Sequence, residues 1–334
     1  MKNDFPLKQE QTFIVAEAEI NHNGNLNTAQ KMVDAAKEAG ADAIKFQYIL
    51  ADEIVEKGSP FHDLFKKVEF SFDEYKTLIN YTRERNVECF FTVPSKNTLP
   101  HVLKLEPRFL KIGSTNITNL PLLKAVGKAQ IPVILSTGMA TLGEIEQGLQ
   151  VLGDVPVCLL HCTVRYPAEM KELNLRAIDT MKRAFPDNLV GYSDHTVGET
   201  ASVMAVTLGA KMIEKHFTLD CSQDGPDHAF STDPSAFSKL IKAIRDVESA
   251  LGDGIKRPAE LEMPSISNVR RYLVAVKDIR KGEEITGSNV DCRRVSDPGG
   301  AIGAHLFDLL NGWESPRGYR AGEILFWDDF KVHR

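Results

Sequence analysis

The sequence predicts an α/β protein in which a (β/α)8 barrel is followed by a small, mainly β domain. Eight short apolar runs alternate with helical stretches between residues 12 and about 250. These runs lack strict polar alternation, which is typical of parallel strands covered on both faces. After residue 254 the pattern changes to prolines, polar residues and short strands. A doubly wound sheet is the alternative, but no GxGxxG segment follows the first strand.

Each predicted strand is a short segment rich in Val, Ile, Leu and Phe. The strands are predicted at residues 13–20, 43–48, 88–94, 109–114, 132–138, 157–163, 189–194 and 211–217. Eight strand–helix units in about 240 residues is the size expected of a (β/α)8 barrel.

Capping residues mark where several of the intervening helices begin. The predicted caps are Asn27 or Thr28, Ser71 with Glu74, Thr141 with Glu144, and Asp233. In the two Ser/Thr–Glu pairs, each side chain can satisfy an exposed backbone N–H of the other residue, which makes a capping box. Gly40, Gly209 and Gly252 are placed where helices end, since glycine readily adopts the left-handed conformation there.

The change of pattern divides the chain into three parts. Residues 1–254 are assigned to the barrel, 255–269 to a proline-containing linker, and 270–334 to the small domain. Within the small domain, 272–279 and 290–295 are strand-like. About 65 residues bury only a marginal hydrophobic core, so we expect this domain to pack against another protein surface.

The composition is that of an ordinary globular protein, with 43% hydrophobic residues, 26% charged residues and a net charge of −6. The negative charge argues against nucleic-acid and anionic-membrane partners. No apolar run reaches the roughly 18 residues that span a bilayer, and the amino terminus, MKNDFPLKQEQ, lacks the apolar core of a signal peptide. The 5 cysteines are odd in number and lack CxxC spacing, which indicates reduced, mostly packed thiols. We therefore expect a cytoplasmic protein.

Two histidines are predicted to lie together at one end of the sheet. His195 follows the seventh predicted strand in GYSDHT, and His216 ends the eighth in IEKHF. Side chains alternate along a strand, so Glu214 and His216 share a face, and neighbouring strands lie about 4.8 Å apart. The two imidazoles could therefore share a divalent cation. The alternative is that each is an ordinary hydrogen-bonded histidine near a core.

Other polar residues at the predicted strand ends indicate an anion pocket, since the active site of such a barrel lies at the carboxyl ends of its strands. Lys45 and Lys111 lie in apolar strands, where a lysine is unfavourable unless it meets an anion. Ser114, Ser136 and Ser193 follow neighbouring strands, and together these groups suit a phosphate or carboxylate. The alternative is that each lysine pairs with a structural Asp or Glu. Further polar residues at strand ends are Glu17, Asn21, His22, Gln47, Asn116, His161, Thr163, Tyr166 and Asp194.

Segments along essentially the whole chain resemble, in order and spacing, those of the N-acetylneuraminate (sialic acid) synthase family of bacterial nonulosonic acid synthases. They are VAEAEINHNG (15–24), IKFQ (44–47), KIGS (111–114), ILSTGM (134–139), LLHCT (159–163), GYSDHT (191–196), IEKHF (213–217) and GPDH (225–228). The resemblance implies a (β/α)8 TIM barrel followed by an antifreeze-like (SAF) domain, assembled as a domain-swapped homodimer.

The resemblance also implies an activity: condensation of phosphoenolpyruvate with an N-acetylated aldose such as N-acetylmannosamine, giving a nine-carbon α-keto acid and phosphate. It implies that His195 and His216 hold a divalent cation, Mn2+ in this family, that polarises the sugar aldehyde. By the same resemblance the phosphoenolpyruvate-binding residues are Lys45, Lys111, Ser114, Ser136 and Ser193. The sugar-binding residues are Glu17, Gln47, Tyr166, Asp227 and Arg294, the last of which reaches the partner's barrel. The catalytic residues are Glu17, Lys111, Glu214 and Asn116.

Several positions depart from the family pattern. They are Glu19 in place of glycine, Asn116 in place of Glu or Asp, Val295 in place of proline, and Val164-Arg165 in place of small polar residues. The acid usual at position 116 is thought to orient or deprotonate the attacking water, and asparagine cannot accept a proton. Glu17, Glu214, Asp194 or a metal-bound water are the alternative bases.

The sequence leaves other functions open. A metal-dependent aldolase or hydrolase would use Lys45 or Lys111 as a Schiff base, which requires a lysine without anions nearby. A non-catalytic sugar-binding protein is favoured only by Asn116. The acceptor is also open, since legionaminic and pseudaminic acid synthases of this family use a diacetamido-6-deoxy aldose.

Overall fold

The computed structural model describes residues 5–7 and 11–330. The chain divides into two compact units, the first ending at Asp253 and the second beginning at Gly254. This division falls next to the predicted end of the barrel at residue 254. The outer ends of the predicted domains, residues 1 and 334, lie outside the described residues.

The first unit is a closed barrel of parallel strands arranged in chain order, with helices between them. The predicted α/β barrel is therefore confirmed. The strands are β1 (Phe13–Glu19), β2 (Ala43–Gln47), β3 (Glu88–Thr92), β4 (Leu110–Ile112), β5 (Val133–Ser136), β6 (Val157–Cys162), β7 (Leu189–Asp194) and β8 (Met212–His216). Each lies within the segment predicted for it.

Alternation along the strands separates two apolar layers. Outward-facing residues pack on the helices and make the main core, as Ile14, Phe46 and Leu135 do. Inward-facing residues fill the amino-terminal half of the barrel: Phe5, Val15, Ala43, Phe90, Phe109, Ile134, Cys158, Leu160 and Met212. Because this half is packed solid, the interior of the barrel is open to a ligand towards the carboxyl-terminal ends of the strands.

The helices of the first unit lie between its strands in the chain. They are α1 (Leu26–Ala39), α2 (Ala51–Ile54), α3 (His62–Val68), α4 (Phe72–Glu84), α5 (Leu99–Leu103), α6 (Leu120–Lys128), α7 (Leu142–Leu152), α8 (Ala177–Ala184), α9 (Thr200–Thr207) and α10 (Pro234–Leu251). Short 3-10 turns lie at Ser114–Asn116, Met170–Glu172 and His228–Phe230.

The capping predictions are confirmed with one exception. Both capping boxes form, at Ser71 before α4 and at Thr141 before α7. The cap of α1 is Asn25, whose side chain accepts a hydrogen bond from the Thr28 N–H, so the predicted cap at Asn27 or Thr28 was wrong. Those two residues lie inside the first helical turn, where the backbone is already helical.

The second unit is small and mainly β, as predicted. It contains α11 (Met263–Val269), β9 (Tyr272–Ala275), β10 (Val290–Arg293) and α12 (Phe307–Leu310). Strands β9 and β10 pair antiparallel, and isolated bridges extend the pairing. Its own apolar core is made by Leu273, Ala275, Ile279, Ile285, Val290, Ile302, Leu310, Tyr319 and Leu325.

The predicted linker, 255–269, is partly helical. A 3-10 turn at Glu260–Glu262 leads into α11. Pro264 lies in the first turn of α11, where its missing N–H is not needed. The proline that indicated irregular chain is therefore compatible with a short helix, although nearly every side chain of the segment is exposed.

The cysteines and the helices agree with the expectations from composition. All five cysteines are unpaired, and Cys89, Cys158 and Cys162 are buried. Within residues 5–7 and 11–330, no helix has the length and apolar character needed to cross a bilayer.

Candidate active site

A cavity of about 750 Å³ opens at the carboxyl-terminal ends of the barrel strands. Its floor continues the inner face of the barrel, because Lys111 follows Phe109 by two residues on the β4 side and Glu214 follows Met212 by two residues on β8. Side chains alternate along a strand, so these polar groups point inward like the apolar residues beneath them. The volume is in the range of small-molecule sites.

Every barrel residue to which the family resemblance assigns a catalytic, substrate-binding or metal-binding role lines this cavity. They are Glu17, Lys45, Gln47, Lys111, Ser114, Asn116, Ser136, Tyr166, Ser193, His195, Glu214, His216 and Asp227. Arg294 belongs to the second unit and has an exposed side chain. Its guanidinium lies 3.5 Å from the backbone carbonyl oxygen of Asn268.

Two buried lysines face two buried carboxylates at the floor of the cavity. The Lys45 ammonium pairs with Glu17 and lies 3.8 Å from Glu214, and the Lys111 ammonium lies 3.2 Å from Glu214. Lys45 also donates a hydrogen bond to Thr92 Oγ1 at 2.8 Å. Burial by itself raises the pKa of Glu214, but Lys111 and Lys45 lower that pKa to about 2. Both environments considered for the lysines are therefore present: each ammonium contacts a buried carboxylate, and each lysine also lines the cavity.

Several buried polar atoms in the cavity have no hydrogen-bond partner among the described residues. They are Gln47 Oε1, Ser136 Oγ, Glu214 Oε2 and His216 Nδ1. Buried polar groups are nearly always paired, so these atoms indicate that a polar ligand completes the site. The other two serines are engaged: Ser193 Oγ donates to Glu214 Oε1 at 2.9 Å, and Ser114 Oγ accepts from the Gly138 N–H at 3.0 Å.

The two histidines lie side by side, with ring centroids 5.5 Å apart. His195 Nδ1 is 2.7 Å from the carbonyl oxygen of Thr163, so Nδ1 carries the proton and Nε2 keeps its lone pair. In metal-binding histidines, the ring nitrogen that does not bind the metal typically donates a hydrogen bond to a carbonyl oxygen or a carboxylate. Burial lowers the pKa of both imidazoles, which keeps them neutral, as metal binding requires.

The donor set fits a divalent cation held by these two imidazoles. The part of the chain that the structure describes contains no cluster of three or more His, Cys, Asp or Glu side chains suited to a metal. Oxygen atoms of water or substrate as further ligands would suit a catalytic metal with open positions. The unpartnered Nδ1 of His216 agrees with a site completed by a bound group.

The lining of the cavity also includes further polar groups and a set of apolar side chains. The Tyr166 ring lies 4.3 Å from the ring of His195. Burial raises the pKa of Asp227 to about 6. The apolar wall follows β1 and β2 and consists of Ile20, Ile54, Phe61, Leu64 and Phe65. Such a wall suits methyl groups of a ligand.

Asp194 does not belong to the site, so its prediction as a candidate base was wrong. Its carboxylate points out of the barrel, where it accepts hydrogen bonds from Ser202 Oγ at 2.6 Å and Lys215 Nζ at 2.9 Å. Its neighbours Ser193 and His195 line the cavity. The alternation of side chains on β7 explains the difference.

Other strand-end residues also serve packing. Asn21 Nδ2 donates to a backbone carbonyl at 2.9 Å, and His161 Nε2 lies 2.7 Å from another. His22 stacks on Phe70 with centroids 4.3 Å apart. None of these three residues is among those that line the cavity.

The lining residues that were missed in the sequence include Thr92 and Cys162, and Glu19 was noted without a role. Thr92 follows the inward-facing Phe90 by two residues, so strand alternation was a sufficient signal for it. Cys162 lies 3.1 Å from Ser114 Oγ. Glu19, noted only as a departure from the family pattern, also lines the cavity.

We expect Lys215→Met to lower the free energy of unfolding by about 3–5 kcal/mol, because it leaves the carboxylate of Asp194 buried without its charged partner. Both side chains of this pair are almost fully buried. Urea denaturation measures the loss. The exposed pair Lys242–Asp246 supplies the control Lys242→Met, which should have little effect. Equal losses in the two variants would contradict a structural role for the buried pair.

The fold and the cavity define a (β/α)8-barrel protein with lysines, carboxylates and paired histidines at the carboxyl ends of its strands, joined to a small β domain. Residues 32–256 match the NeuB family and residues 270–331 match the SAF domain. The chain belongs to the NeuB family. The resemblance drawn from its motifs is therefore confirmed, as is the SAF assignment of the small domain.

Proteins similar to this chain include synthases of legionaminic acid and of N-acetylneuraminic (sialic) acid. The N,N'-diacetyllegionaminic acid synthase of Campylobacter jejuni is 39% identical, over 94% of this chain and 98% of that protein. Human N-acetylneuraminate-9-phosphate synthase is 33% identical, over 90% of this chain and 88% of that protein. The crystal structure of N-acetylneuraminic acid synthetase from Leptospira borgpetersenii, in complex with citrate, is 35% identical. It has a TM-score of 0.74 and covers 77% of this chain and 91% of that one.

Proposed function

We propose that this protein condenses phosphoenolpyruvate with an N-acetylated aldose, N-acetylmannosamine or a close relative, to give a nine-carbon α-keto acid and phosphate. The observation that carries the proposal is the cavity itself. Two lysines, three serines and two neutral histidines converge there at the strand ends, and several buried polar atoms lack partners. Membership of the NeuB family and the names of its relatives support the same class of reaction.

Phosphoenolpyruvate would bind at the floor of the cavity. Lys45 and Lys111 supply the positive charge for its phosphate and carboxylate, and the hydroxyls of Ser114, Ser136 and Ser193 supply hydrogen bonds. The Ser136 hydroxyl is buried and unpartnered among the described residues. An oxygen atom of a bound oxyanion would accept a hydrogen bond from this hydroxyl.

His195 and His216 would hold the divalent cation, with Mn2+ as the proposed ion. Such a cation, when bound, acts as a Lewis acid on the sugar aldehyde. The imidazoles are suited to this because burial holds them neutral and the Thr163 carbonyl fixes the tautomer of His195. Tyr166, packed against His195, would position the acceptor.

The reaction balances with one water molecule. A bond forms between carbon 3 of phosphoenolpyruvate and the aldehyde carbon, water adds at carbon 2, and the bond from carbon 2 to the phosphate oxygen breaks. Water gives up both of its protons, one to the former aldehyde oxygen and one to the departing phosphate, and its oxygen becomes the keto oxygen at carbon 2. Glu17 and Glu214 lie at the floor beside Lys45 and Lys111, so these carboxylates are the groups we assign to proton transfer.

Asn116 would position rather than activate the water. Its Nδ2 donates to the Pro94 carbonyl oxygen at 3.1 Å, and its Oδ1 accepts from Asn119 Nδ2 at 2.9 Å. These bonds fix the orientation of the amide at the cavity wall. An amide has no basic group, so the proton must go elsewhere.

Replacing Asn116 with Glu is therefore expected to change kcat by less than tenfold in either direction, although general-base help is typically worth about 10²–10⁴ in rate. Steady-state phosphate release measures the effect, and Asn116→Asp is the variant matched in size. A gain of a hundredfold or more in kcat would contradict the assignment of proton transfer to Glu17 and Glu214.

A second acceptor is a diacetamido-6-deoxy aldose, as legionaminic and pseudaminic acid synthases would use. The apolar wall that includes Ile54, Leu64 and Phe65 favours it, because a deoxy carbon and a second acetamido group would bring methyl groups to this surface. The Campylobacter and Legionella relatives named N,N'-diacetyllegionaminic acid synthase, 39% and 36% identical, agree with this choice.

We also propose a homodimer in which the small domain of one copy covers the cavity of the other. Met139, Tyr166 and Val197 follow strands of the barrel and have large exposed apolar surfaces. Such surfaces near a cavity commonly mark a protein contact. Analytical ultracentrifugation tests the proposal, and a monomer at micromolar concentration would contradict it.

The function is tested by phosphate release from phosphoenolpyruvate with Mn2+ and a panel of aldoses, followed by mass analysis of the product. We expect release that depends on the aldose and a product of nine carbons or an acylated equivalent. Phosphate release without an aldose would indicate a phosphatase. Binding of phosphoenolpyruvate without turnover of any aldose would favour a non-catalytic protein.

A further inference from the structure

A buried ion pair lies directly behind the two histidines of the cavity. Asp194 ends β7 and is followed by His195, and Lys215 precedes His216, which ends β8. Asp194 and Lys215 are register partners in the parallel ladder, and Lys215 Nζ lies 2.9 Å from Asp194 Oδ2. Side chains alternate along a strand, so the pair lies on the outer face of the sheet and the histidines on the cavity side. Each member of the pair is therefore the chain neighbour of one of the two histidines.

Stability alone does not account for a charged pair at this place. Asp194 and Lys215 are each 1% exposed, whereas outward-facing residues of other strands, such as Phe46 and Leu135, are apolar. Replacing a buried ion pair with apolar residues of similar volume is often neutral or stabilising, because taking two charges out of water is costly. A buried ion pair is therefore better explained where it also fixes the position of its neighbours.

The pair brackets the backbone of His195, which is the first residue beyond β7. Asp194 Oδ1 accepts hydrogen bonds from the backbone N–H of Thr196 at 2.9 Å and from its hydroxyl at 2.8 Å. Lys215 Nζ donates to the backbone carbonyl oxygen of Thr196 at 2.8 Å. Ser202 Oγ completes the network by donating to Asp194 Oδ2 at 2.6 Å. The residues before and after His195 are thus both tied to one ammonium group on the neighbouring strand.

This network acts on a degree of freedom that other contacts leave open. The Thr163 carbonyl oxygen, 2.7 Å from His195 Nδ1, fixes the rotation of the imidazole. The separation of His195 from His216 depends instead on where the end of β7 lies relative to β8. The ion pair joins the two strands at this level, so it sets the separation of the two imidazoles, whose centroids are 5.5 Å apart.

We propose that Asp194 and Lys215 are positioning residues that, from the outer face of the sheet, hold His195 at the distance from His216 at which both can bind one divalent cation. This inference rests on the metal-binding role of the histidines in the proposed function. Groups that orient metal ligands without touching the metal typically contribute about 10–100-fold to metal affinity. Ser193 and Glu214, at the floor of the cavity, lie within the β7–β8 ladder, so their positions depend less on the ion pair.

The test measures Mn2+ affinity by titration calorimetry in Asp194→Asn and Lys215→Met. Asparagine keeps the size of the side chain and an oxygen that can accept from Thr196, but it removes the charge that binds Lys215. We expect the dissociation constant for Mn2+ to rise by about tenfold or more in each variant. The affinity for phosphoenolpyruvate without metal should stay within about threefold of the wild type, because the strand ladder holds the floor. Activity lost at low Mn2+ should return as the Mn2+ concentration is raised.

The matched control is Arg245→Met, which removes another ion-paired side chain of the barrel unit. Arg245 lies 2.9 Å from Glu248 and 3.4 Å from Asp42. Asp42 directly precedes β2, so these contacts lie at the amino-terminal ends of the strands, away from the histidines. The control should lower the Tm and leave the affinity for Mn2+ unchanged.

Circular dichroism shows which variants are folded. Asp194→Asn is the milder change, because a buried lysine that has lost its anion can become neutral by releasing its proton. This variant therefore decides the question if Lys215→Met does not fold.

The possible outcomes separate this inference from the proposed function. If the wild type binds Mn2+ no better than His195→Ala, the metal assignment fails and the inference fails with it. If the wild type binds Mn2+ through the histidines and folded Asp194→Asn binds it within about threefold as tightly, the inference alone is overturned, since an orienting group is worth about tenfold or more. An equal loss of Mn2+ affinity in Arg245→Met would also overturn it, because the effect would then be general destabilisation. Mn2+ affinity is measured without substrate, so the result does not depend on whether any aldose is condensed.

Discussion

Replacing His195 or His216 with alanine is expected to abolish condensation activity, with a loss of about a thousandfold or more, and to abolish tight Mn2+ binding. A Lewis acid on the aldehyde is worth several kcal/mol of transition-state stabilisation, and the described residues provide only these two imidazoles as a pair of neutral nitrogen ligands in the cavity. Incubation with excess chelator should have the same effect on the wild type, reversed by added Mn2+.

The loss should not reflect unfolding. Both histidines lie at the strand ends on the cavity side, above the packed interior, so their removal affects ligation more than packing. Titration calorimetry with Mn2+ gives a measurement that does not depend on activity. Circular dichroism and the melting temperature Tm show whether each variant is folded.

A third histidine provides the control. His161 lies on β6, makes a hydrogen bond of similar length to a backbone carbonyl, and stays outside the cavity lining. His161→Gln keeps a polar side chain there and should retain Mn2+ binding and activity. Full wild-type activity in excess chelator, or undiminished Mn2+ binding by both alanine variants, would remove the basis for the metal assignment.

Deleting residues 270–334 is expected to leave a folded barrel that binds phosphoenolpyruvate but uses its acceptor about a hundredfold less efficiently. The barrel unit contains its own strands, helices and apolar core, so its folding should not depend on the deleted part. The loss follows from the proposed role of Arg294, since removing one charged group from a desolvated contact typically costs about 2–5 kcal/mol. The kinetics of the truncated protein measure kcat/KM for the acceptor directly.

Two point variants distinguish a role of Arg294 from a general effect of the deletion. Arg294→Ala should reproduce most of the loss. Arg293→Ala removes the neighbouring exposed arginine, which lies 3.9 Å from Asp291 within the same unit, and should have little effect. If the truncated protein keeps the wild-type kcat/KM for its best acceptor, Arg294 takes no part in the site.

The fold could be predicted because each strand and helix carries its own local signal. The strands are short apolar runs, as expected of strands that are buried on both faces. Ser71 and Thr141 mark the starts of their helices, because each forms a capping box. Where two neighbouring residues could both serve as a cap, the local signal was too weak. At α1, Asn25, Asn27 and Thr28 are all good caps by type, and the choice of Asn25 depends on where the loop after β1 enters the helix.

The sequence predicted which residue types occur at the strand ends, but it predicted less well which of their side chains point into the barrel. His195 and Glu214 could be recognised because polar residues at strand ends of a barrel are unusual. Asp194 looked equally suitable, yet it faces Lys215 on the outside of the barrel. A stricter use of strand alternation would have excluded Asp194 and included Thr92.

The sequence by itself determined the barrel, the small β domain and the set of residues at the strand ends, because apolar periodicity, caps and family motifs are all local in the chain. Only the tertiary structure decided which charges meet. The pairings of Lys45 with Glu17 and of Lys111 with Glu214 join residues from different strands. Such pairings arise when the sheet closes on itself, because closure brings β1 beside β8 and places residues far apart in the chain around one cavity.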